Sequence, residues 1–119
     1  MIYMDNAATT RLSSRALEAM MPYLTEQYAN PAGTYSFTNA SNVAMEKARK
    51  QVADVIGAKS AEIFFTSGGT ESDNWALKGV MRANEKKGRH LIISAIEHHA
   101  ILHSAKALER EGFDVTVLP

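Results

Sequence analysis

The stretch FFTSGGTESDN, residues 64–74, combines the residue types that bind phosphate in many proteins. Its two phenylalanines are typical of a buried strand, and the polar residues after the glycines are typical of a helix start. The first turn of a helix leaves backbone N–H groups unpaired and carries a partial positive charge. Gly68 and Gly69 would let the backbone approach a ligand closely, and Thr70 adds a hydroxyl. The sequence therefore predicts a phosphate-binding turn at this corner.

A tight turn that binds no ligand explains much of the same pattern. Thr70 would then be the N-cap of the helix, supported by Asp73 three residues later. Glu71 and Asp73 would also compensate the helix dipole without any ligand. Neither of the two common nucleotide patterns, GxxxxGK[ST] and GxGxxG, is present. From these residues alone, phosphate binding and simple capping both stay open.

A second candidate segment, SAIEHHA at 94–100, follows another apolar run. An imidazole from this segment near a phosphate could stack on an aromatic cofactor or transfer a proton, and His98 is the candidate. A metal site is the alternative, because His99 and His103 are four residues apart on a predicted helix and Glu97 could be a third ligand. A third interpretation is that these histidines only cap the helix start.

The elements that would position these residues follow from the hydrophobic pattern. Apolar runs at 63–65, 91–93 and 115–118 are separated by helical stretches at about 71–86 and 99–111. This spacing predicts an α/β fold with three parallel strands joined by helices. The carboxyl ends of parallel strands lie at one edge of a sheet, so the glycine turn and the histidine segment should share that edge.

Two further helices are predicted before the first of these strands. The first would be capped by Ser13 or Ser14, and the second would end at Gly57. A loop rich in turn-forming residues, 29–41, joins them.

Composition narrows the classes of function. The chain has 119 residues with 13 basic and 13 acidic side chains, which gives no reason to expect a nucleic-acid partner. It contains no cysteine, so neither a disulfide framework nor a cysteine-based metal site is possible within it. No apolar run approaches the roughly 20 residues of a membrane-spanning helix, and the first residues do not resemble a signal peptide. We therefore expect a cytoplasmic protein with no membrane partner.

Five segments occur in an order that resembles a known family. They are YMDNAATT at 3–10, NPAG at 30–33, MEKAR at 45–49, EIFFTSGGTESDNWALKG at 62–79 and IEHHAIL at 96–102. Together they resemble the N-terminal part of cysteine desulfurases, which belong to the class V aminotransferase group of fold type I pyridoxal-phosphate enzymes. The resemblance covers essentially the whole chain. Tyr35 and Thr38 depart from it, because family members often have a histidine and a glycine there.

The resemblance implies a fold and a domain organisation. Residues 13–119 would be the first, truncated part of the large domain that binds pyridoxal 5′-phosphate (PLP), with a mostly parallel sheet flanked by helices. Residues 1–12 would be an N-terminal segment near the mouth of the active site.

The resemblance also implies roles for individual residues. Gly69, mainly through its backbone N–H, and Thr70 would hold the PLP phosphate. His98 would stack on the pyridine ring and move protons, which makes it both a cofactor-binding and a catalytic residue. Four residues would lie on the substrate side, namely Asn6, Ala7, Ala8 and Thr9. No metal is implied.

As a whole, the resembling enzyme would convert L-cysteine to L-alanine. The sulfur would pass as a persulfide to sulfur acceptors or iron–sulfur scaffold proteins, for cluster assembly or tRNA thiolation, and the enzyme would be a homodimer. In the family, the lysine that holds PLP covalently, the persulfide-forming cysteine and a substrate-binding arginine come later in the chain. We therefore expect a fragment, roughly the N-terminal third of such an enzyme, that is inactive alone.

Three other functions remain as alternatives. The first is another class V enzyme, such as a selenocysteine lyase, a kynureninase-like hydrolase or an aminotransferase. The second is a truncated module without catalysis. The third is a small metal-dependent hydrolase built on Glu97, His99 and His103.

Overall fold

A computed structural model describes residues 2–119, so Met1, the first residue of the predicted N-terminal segment, lies outside the described residues. The chain divides into two compact units, one up to Phe64 and the other Phe65–Pro119. The predicted boundary between an N-terminal segment, residues 1–12, and the large domain is not the boundary between these units, and it stays a prediction. Among the helices that residues 2–119 form, none has both the length and the apolar character needed to span a bilayer.

The first unit is helical. Helix α1, Ser14–Thr25, begins where the Oγ of Ser13 accepts the N–H of Ala16 at 3.1 Å, so the predicted serine cap is confirmed. Helix α2, Asn39–Ile56, ends at Gly57, which has the left-handed φ of 70° that only glycine adopts easily. The C-cap predicted from the sequence is therefore also confirmed.

The connection between α1 and α2 ends earlier than the sequence suggested. The predicted loop was 29–41, but a short 3₁₀ helix spans Ser36–Thr38 and α2 follows it directly. The buried Thr38 holds this turn closed, because its Oγ1 donates to the carbonyl oxygens of Gly33 at 2.9 Å and Tyr35 at 2.7 Å. A second 3₁₀ helix, Ser60–Glu62, follows α2.

The second unit is a βαβ arrangement preceded by a helix. Its elements are α3, Gly69–Ala83; β1, His90–Ser94; α4, His99–Arg110; and β2, Asp114–Leu118. The two strands are parallel and in register, from His90 opposite Asp114 to Ser94 opposite Leu118. The α/β class and the parallel pairing predicted from the sequence are therefore confirmed.

The prediction of a strand at 63–65, one of the three predicted strands, is wrong. The sheet formed by residues 2–119 has two strands, and the segment 63–66 lies outside every helix and strand, although Ile63 has an extended backbone with φ −101° and ψ 127°. Apolar and aromatic residues show that a segment would fit a sheet surface. A strand forms only where a neighbouring backbone completes the hydrogen-bond ladder, and composition does not reveal that.

The core of the second unit lies between α3, α4 and the sheet. Met81, Leu108 and Phe113 are buried together, and the partly buried Leu77 and Leu91 pack against them. Leu108 has no exposed surface. This cluster fixes α3 and α4 against each other and against the strands, and thereby fixes the positions at which the two helices begin.

Candidate functional site

The glycine turn leads into α3 without a side-chain cap. The N-cap is Gly68, whose backbone is extended with φ 161° and ψ 179°, and no side chain caps the helix there. The first backbone bond of the helix runs from the Ser72 N–H to the Gly68 carbonyl oxygen at 3.2 Å. The alternative prediction, with Thr70 as N-cap, is therefore wrong, because the N-cap is two residues earlier, at Gly68, and α3 begins at Gly69. Thr70 lies within the first turn instead.

The space in front of the two glycines is open. A Cβ atom built on either Gly68 or Gly69 would meet no other atom within 4 Å. Thr70 is exposed beside them. An uncapped helix start with room in front of its backbone can accept an anion, because the N–H groups of the first turn have no partner within the helix.

Two sets of side-chain hydrogen bonds hold the turn in place. Glu71 Oε2 accepts the backbone N–H of Ser67 at 2.6 Å and the Ser67 hydroxyl at 2.8 Å. The hydroxyls of Thr66 and Ser72 are also hydrogen-bonded, at 2.7 Å. The two hydrogen bonds from Ser67 lower the pKa of the Glu71 carboxyl below its ordinary value, and the bond from the backbone N–H has the larger effect. Glu71 is therefore ionised at neutral pH and available as an acceptor.

Sequence reasoning missed this role of Glu71, which it assigned only to the helix dipole. The signal was the spacing of Ser67 and Glu71. Glu71 is the third residue of α3, and the residue it bonds precedes the N-cap, whereas a standard capping box bonds the N-cap itself.

His98 caps the start of α4. Its Nδ1 accepts the backbone N–H of Ala100 at 3.1 Å, so the capping interpretation of the histidine segment is confirmed for this residue. An acceptor Nδ1 carries no proton, so in the neutral ring the proton is on Nε2. The ring is exposed. Capping therefore leaves Nε2 and the ring faces available to a ligand.

The contacts between α3 and α4 show how the two helix starts are related. Near their ends, Arg82 Nη2 and Glu111 Oε1 form an ion pair at 2.7 Å. Leu77 and Met81 of α3 and Leu108 of α4 belong to one apolar cluster, in the second half of each helix. These contacts join the carboxyl-terminal halves of the two helices.

The lengths of the helices and the register of the strands show where the two helices begin relative to each other. Gly69 precedes Arg82 by 13 residues and His98 precedes Glu111 by 13 residues, about 20 Å of helix in each case. The strand that follows each helix starts at the same level, with His90 opposite Asp114. The glycine turn and His98 thus stand at the same end of this unit.

The proposed metal ligands do not form a site. The rings of His99 and His103 are neighbours, with centroids 5.6 Å apart. Within residues 2–119, however, no three histidine, aspartate or glutamate side chains come together as a metal site would require. The alternative of a hydrolase that uses Glu97 with these histidines therefore has no ligand set in the described chain.

The residues predicted for the substrate side form a turn in the first unit. The carbonyl oxygen of Asp5 accepts the N–H of Ala8 at 3.1 Å and of Thr9 at 3.4 Å, and the turn spans residues 6–8. Asn6, Ala7, Ala8 and Thr9 are exposed. Their place near the mouth of an active site stays a prediction.

The lysines of this chain lie on helices or in the turns that follow them. They are on α2, α3 and α4 or in the turns after α2 and α3, and comprise Lys47, Lys50, Lys59, Lys78, Lys86, Lys87 and Lys106. Within the described residues, none directly follows the end of a strand, which is where a lysine would reach a ligand at this end of the unit.

Comparison with known proteins gives a consistent picture. Residues 2–119 match the family model described as aminotransferase class V. The chain is 54% identical, over 99% of its length, to the protein named cysteine desulfurase IscS of Methanosarcina thermophila, and it spans 29% of that relative.

Two solved structures share the fold. One, titled NifS-like protein, has a TM-score of 0.93 and 46% identity over 99% of this chain and 32% of its own. The other, titled SspA in complex with cysteine, has a TM-score of 0.90 and 40% identity over 98% of this chain and 33% of its own. The chain thus has the fold of about one third of these proteins, and it spans about 30% of the length of the curated relatives it matches.

Proposed function

Since the chain belongs to the aminotransferase class V family, we propose that the starts of α3 and α4 form part of a binding site for PLP. The observation that carries the proposal is the glycine turn, which is open in front and has no side-chain cap. Helix starts of this kind bind phosphate through backbone N–H groups and the helix dipole. The residues present therefore fit the phosphate of this cofactor.

Gly69 and Thr70 would hold the phosphate. Gly69 is the first residue of α3 and offers its backbone N–H, and the space in front of it is open. Thr70 is exposed in the same turn, and its hydroxyl would donate a further hydrogen bond. The carbonyl oxygen of Thr70 already accepts the side-chain amide of Asn74 at 2.9 Å, which ties this residue to the next helical turn.

His98 would contact the pyridine ring and take part in proton transfer. Its capping bond from Ala100 restrains the ring and engages Nδ1. The neutral ring therefore offers Nε2–H to a ligand as a hydrogen-bond donor, whereas uptake of a proton would occur at Nδ1 and would require the capping bond to open. An exposed face of the imidazole can stack on a flat heteroaromatic ring.

For the whole protein we propose cysteine desulfurase activity. When bound, PLP supplies an electron-accepting ring that allows bonds of an amino acid substrate to break. L-cysteine and a thiol of the full-length protein would give L-alanine and a persulfide. The names of the relatives support this reaction, and so does the neighbour whose title includes cysteine.

Several features of the whole protein belong to the same proposal. The covalent lysine and the accepting thiol would lie in a longer polypeptide, since this chain has no cysteine. Asn6 to Thr9 would lie on the substrate side. The sulfur would pass to acceptor or iron–sulfur scaffold proteins, and the enzyme would be a cytoplasmic homodimer.

The full-length protein that carries this sequence provides the test. After incubation with PLP and removal of excess cofactor, we expect a yellow protein whose visible absorption band is bleached by borohydride. With L-cysteine and a thiol reductant, it should release L-alanine and sulfide in equal amounts. A yellow protein that releases selenium from selenocysteine but no sulfide from cysteine would be a selenocysteine lyase. A colourless protein that retains no PLP would contradict the proposal altogether.

A further inference from the structure

The geometry points to Glu71 as a positioning residue that holds the glycine turn in the shape that receives the phosphate. The inference rests on the proposed function, and it concerns a side chain that would not itself contact the cofactor. We call the two hydrogen bonds from Ser67 to Glu71 Oε2 the turn latch.

The turn latch closes a small ring around the two glycines of the turn. Ser67 and Glu71 enclose Gly68, Gly69 and Thr70, and glycine has the widest conformational freedom of all residues. Gly68 offers no side chain to order the turn, so the order must come from its neighbours. Glu71 supplies it through bonds to both the backbone and the side chain of the same serine.

A second tie acts on the same turn. The Thr66 hydroxyl is hydrogen-bonded to the Ser72 hydroxyl at 2.7 Å, and Ser72 Oγ also donates to the Gly68 carbonyl oxygen at 3.3 Å. These bonds fix the residues on either side of the glycines. The turn latch is the stronger of the two ties, because its acceptor is charged and its bonds are short.

The turn latch has a consequence for phosphate binding. It uses the Ser67 N–H, so the donors left for an anion are the N–H groups of the first helical turn and the Thr70 hydroxyl. Donors that are already ordered bind an anion better, because no ordering is needed when it arrives.

The negative charge of Glu71 acts in the opposite direction by repelling phosphate. This repulsion is weakened by water, since Glu71 is exposed. We therefore expect the ordering of the turn to dominate over the repulsion.

The test compares variants of the full-length protein with two measurements. One is the dissociation constant for PLP from a fluorescence titration of the apoprotein, and the other is amide hydrogen exchange at Ser67 without PLP. Glu71→Ala should weaken PLP binding about tenfold and speed exchange at Ser67, because both bonds are lost. Glu71→Gln keeps an acceptor oxygen and should restore binding to within about threefold of the wild type.

Two further variants serve as controls. Asp73→Asn removes a negative charge from the same end of α3 without touching the turn latch, and PLP binding should change less than about twofold. Ser67→Ala removes one of the two bonds at an exposed position and should weaken binding about threefold. This variant still tests the turn latch if Glu71→Ala does not fold.

The possible outcomes separate this inference from the proposed function. If the wild type binds PLP and Glu71→Ala binds it equally well, Glu71 has no positioning role and the proposed function stands. Glu71→Gln binding as weakly as Glu71→Ala would mean that an acceptor oxygen at this position does not restore the turn, which also contradicts the inference. A wild type that binds no PLP would overturn the proposed function and the role of Glu71 with it, even if exchange at Ser67 showed that the latch exists.

Discussion

Replacement of His98 by asparagine should lower the turnover of L-cysteine by the full-length protein about 10²–10⁴-fold, the usual contribution of a group that transfers a proton in the transition state. Asparagine is among the best N-cap residues, so it can replace the capping bond that His98 Nδ1 makes with the Ala100 N–H. It has no ring nitrogen that titrates near neutral pH. The variant therefore removes the proposed chemistry and keeps the start of α4.

A matched variant separates capping from catalysis. His98→Ala loses both the cap and the imidazole, and it should lower the free energy of unfolding by about 1 kcal/mol relative to His98→Asn. The measurements are steady-state alanine formation and thermal unfolding of both variants. If His98→Asn turns over L-cysteine within about threefold of the wild type, His98 is only a cap, and its proposed catalytic role is wrong.

The second large effect concerns the core that packs α3 and α4 against each other. Leu108→Ala should lower the free energy of unfolding by about 2–5 kcal/mol, because the side chain has no exposed surface and its removal leaves a cavity. The cavity would adjoin Met81 and Phe113, which join α4 to α3 and to β2. The measurement is denaturant unfolding of the full-length apoprotein.

Two controls accompany this experiment. Leu108→Met nearly conserves the volume and should cost less than about 1.5 kcal/mol. Lys106→Ala, at an exposed position of the same helix, should stay within about 0.5 kcal/mol of the wild type. If Leu108→Ala is no less stable than Lys106→Ala, this cluster does not fix α3 and α4, and the shared end of their starts would need another explanation.

Much of the second unit could be predicted because its signals are local. The strands were predicted at 91–93 and 115–118. The first is found one residue longer at each end, as His90–Ser94, and the second one residue longer at its start, as Asp114–Leu118. Buried parallel strands read as continuous apolar runs, which a sequence shows directly. Gly57 was predictable for the same reason, since a left-handed helix end favours one residue type.

The features that were predicted wrongly or missed depend on information that the local sequence does not contain. They depend either on a neighbouring segment of backbone or on the residue at which a helix begins. The strand predicted at 63–65 depended on a neighbouring backbone that composition cannot reveal. The N-cap predicted at Thr70 depended on where α3 begins, and two glycines in succession left that position open. The turn latch of Glu71 became visible only once the path of the turn was known.

The proposed roles of Gly69, Thr70 and His98 came from the resemblance to a known family and not from local sequence patterns. Local physics left the glycine turn undecided between a cap and a phosphate site, and the resemblance to class V enzymes supplied the preference. The structure excludes the interpretation in which Thr70 is the N-cap of α3, because the N-cap is Gly68. It also shows that His98 has a capping role that is compatible with a second role at Nε2.

The most direct test of the central claim is the position of the phosphate in a crystal structure of the full-length protein with PLP. We predict phosphate oxygens within hydrogen-bond distance, about 2.7–3.1 Å, of both the Gly69 nitrogen and the Thr70 Oγ1. The His98 ring should stack on the pyridine ring of the same molecule. A phosphate bound elsewhere, with the start of α3 in contact only with water, would contradict the claim.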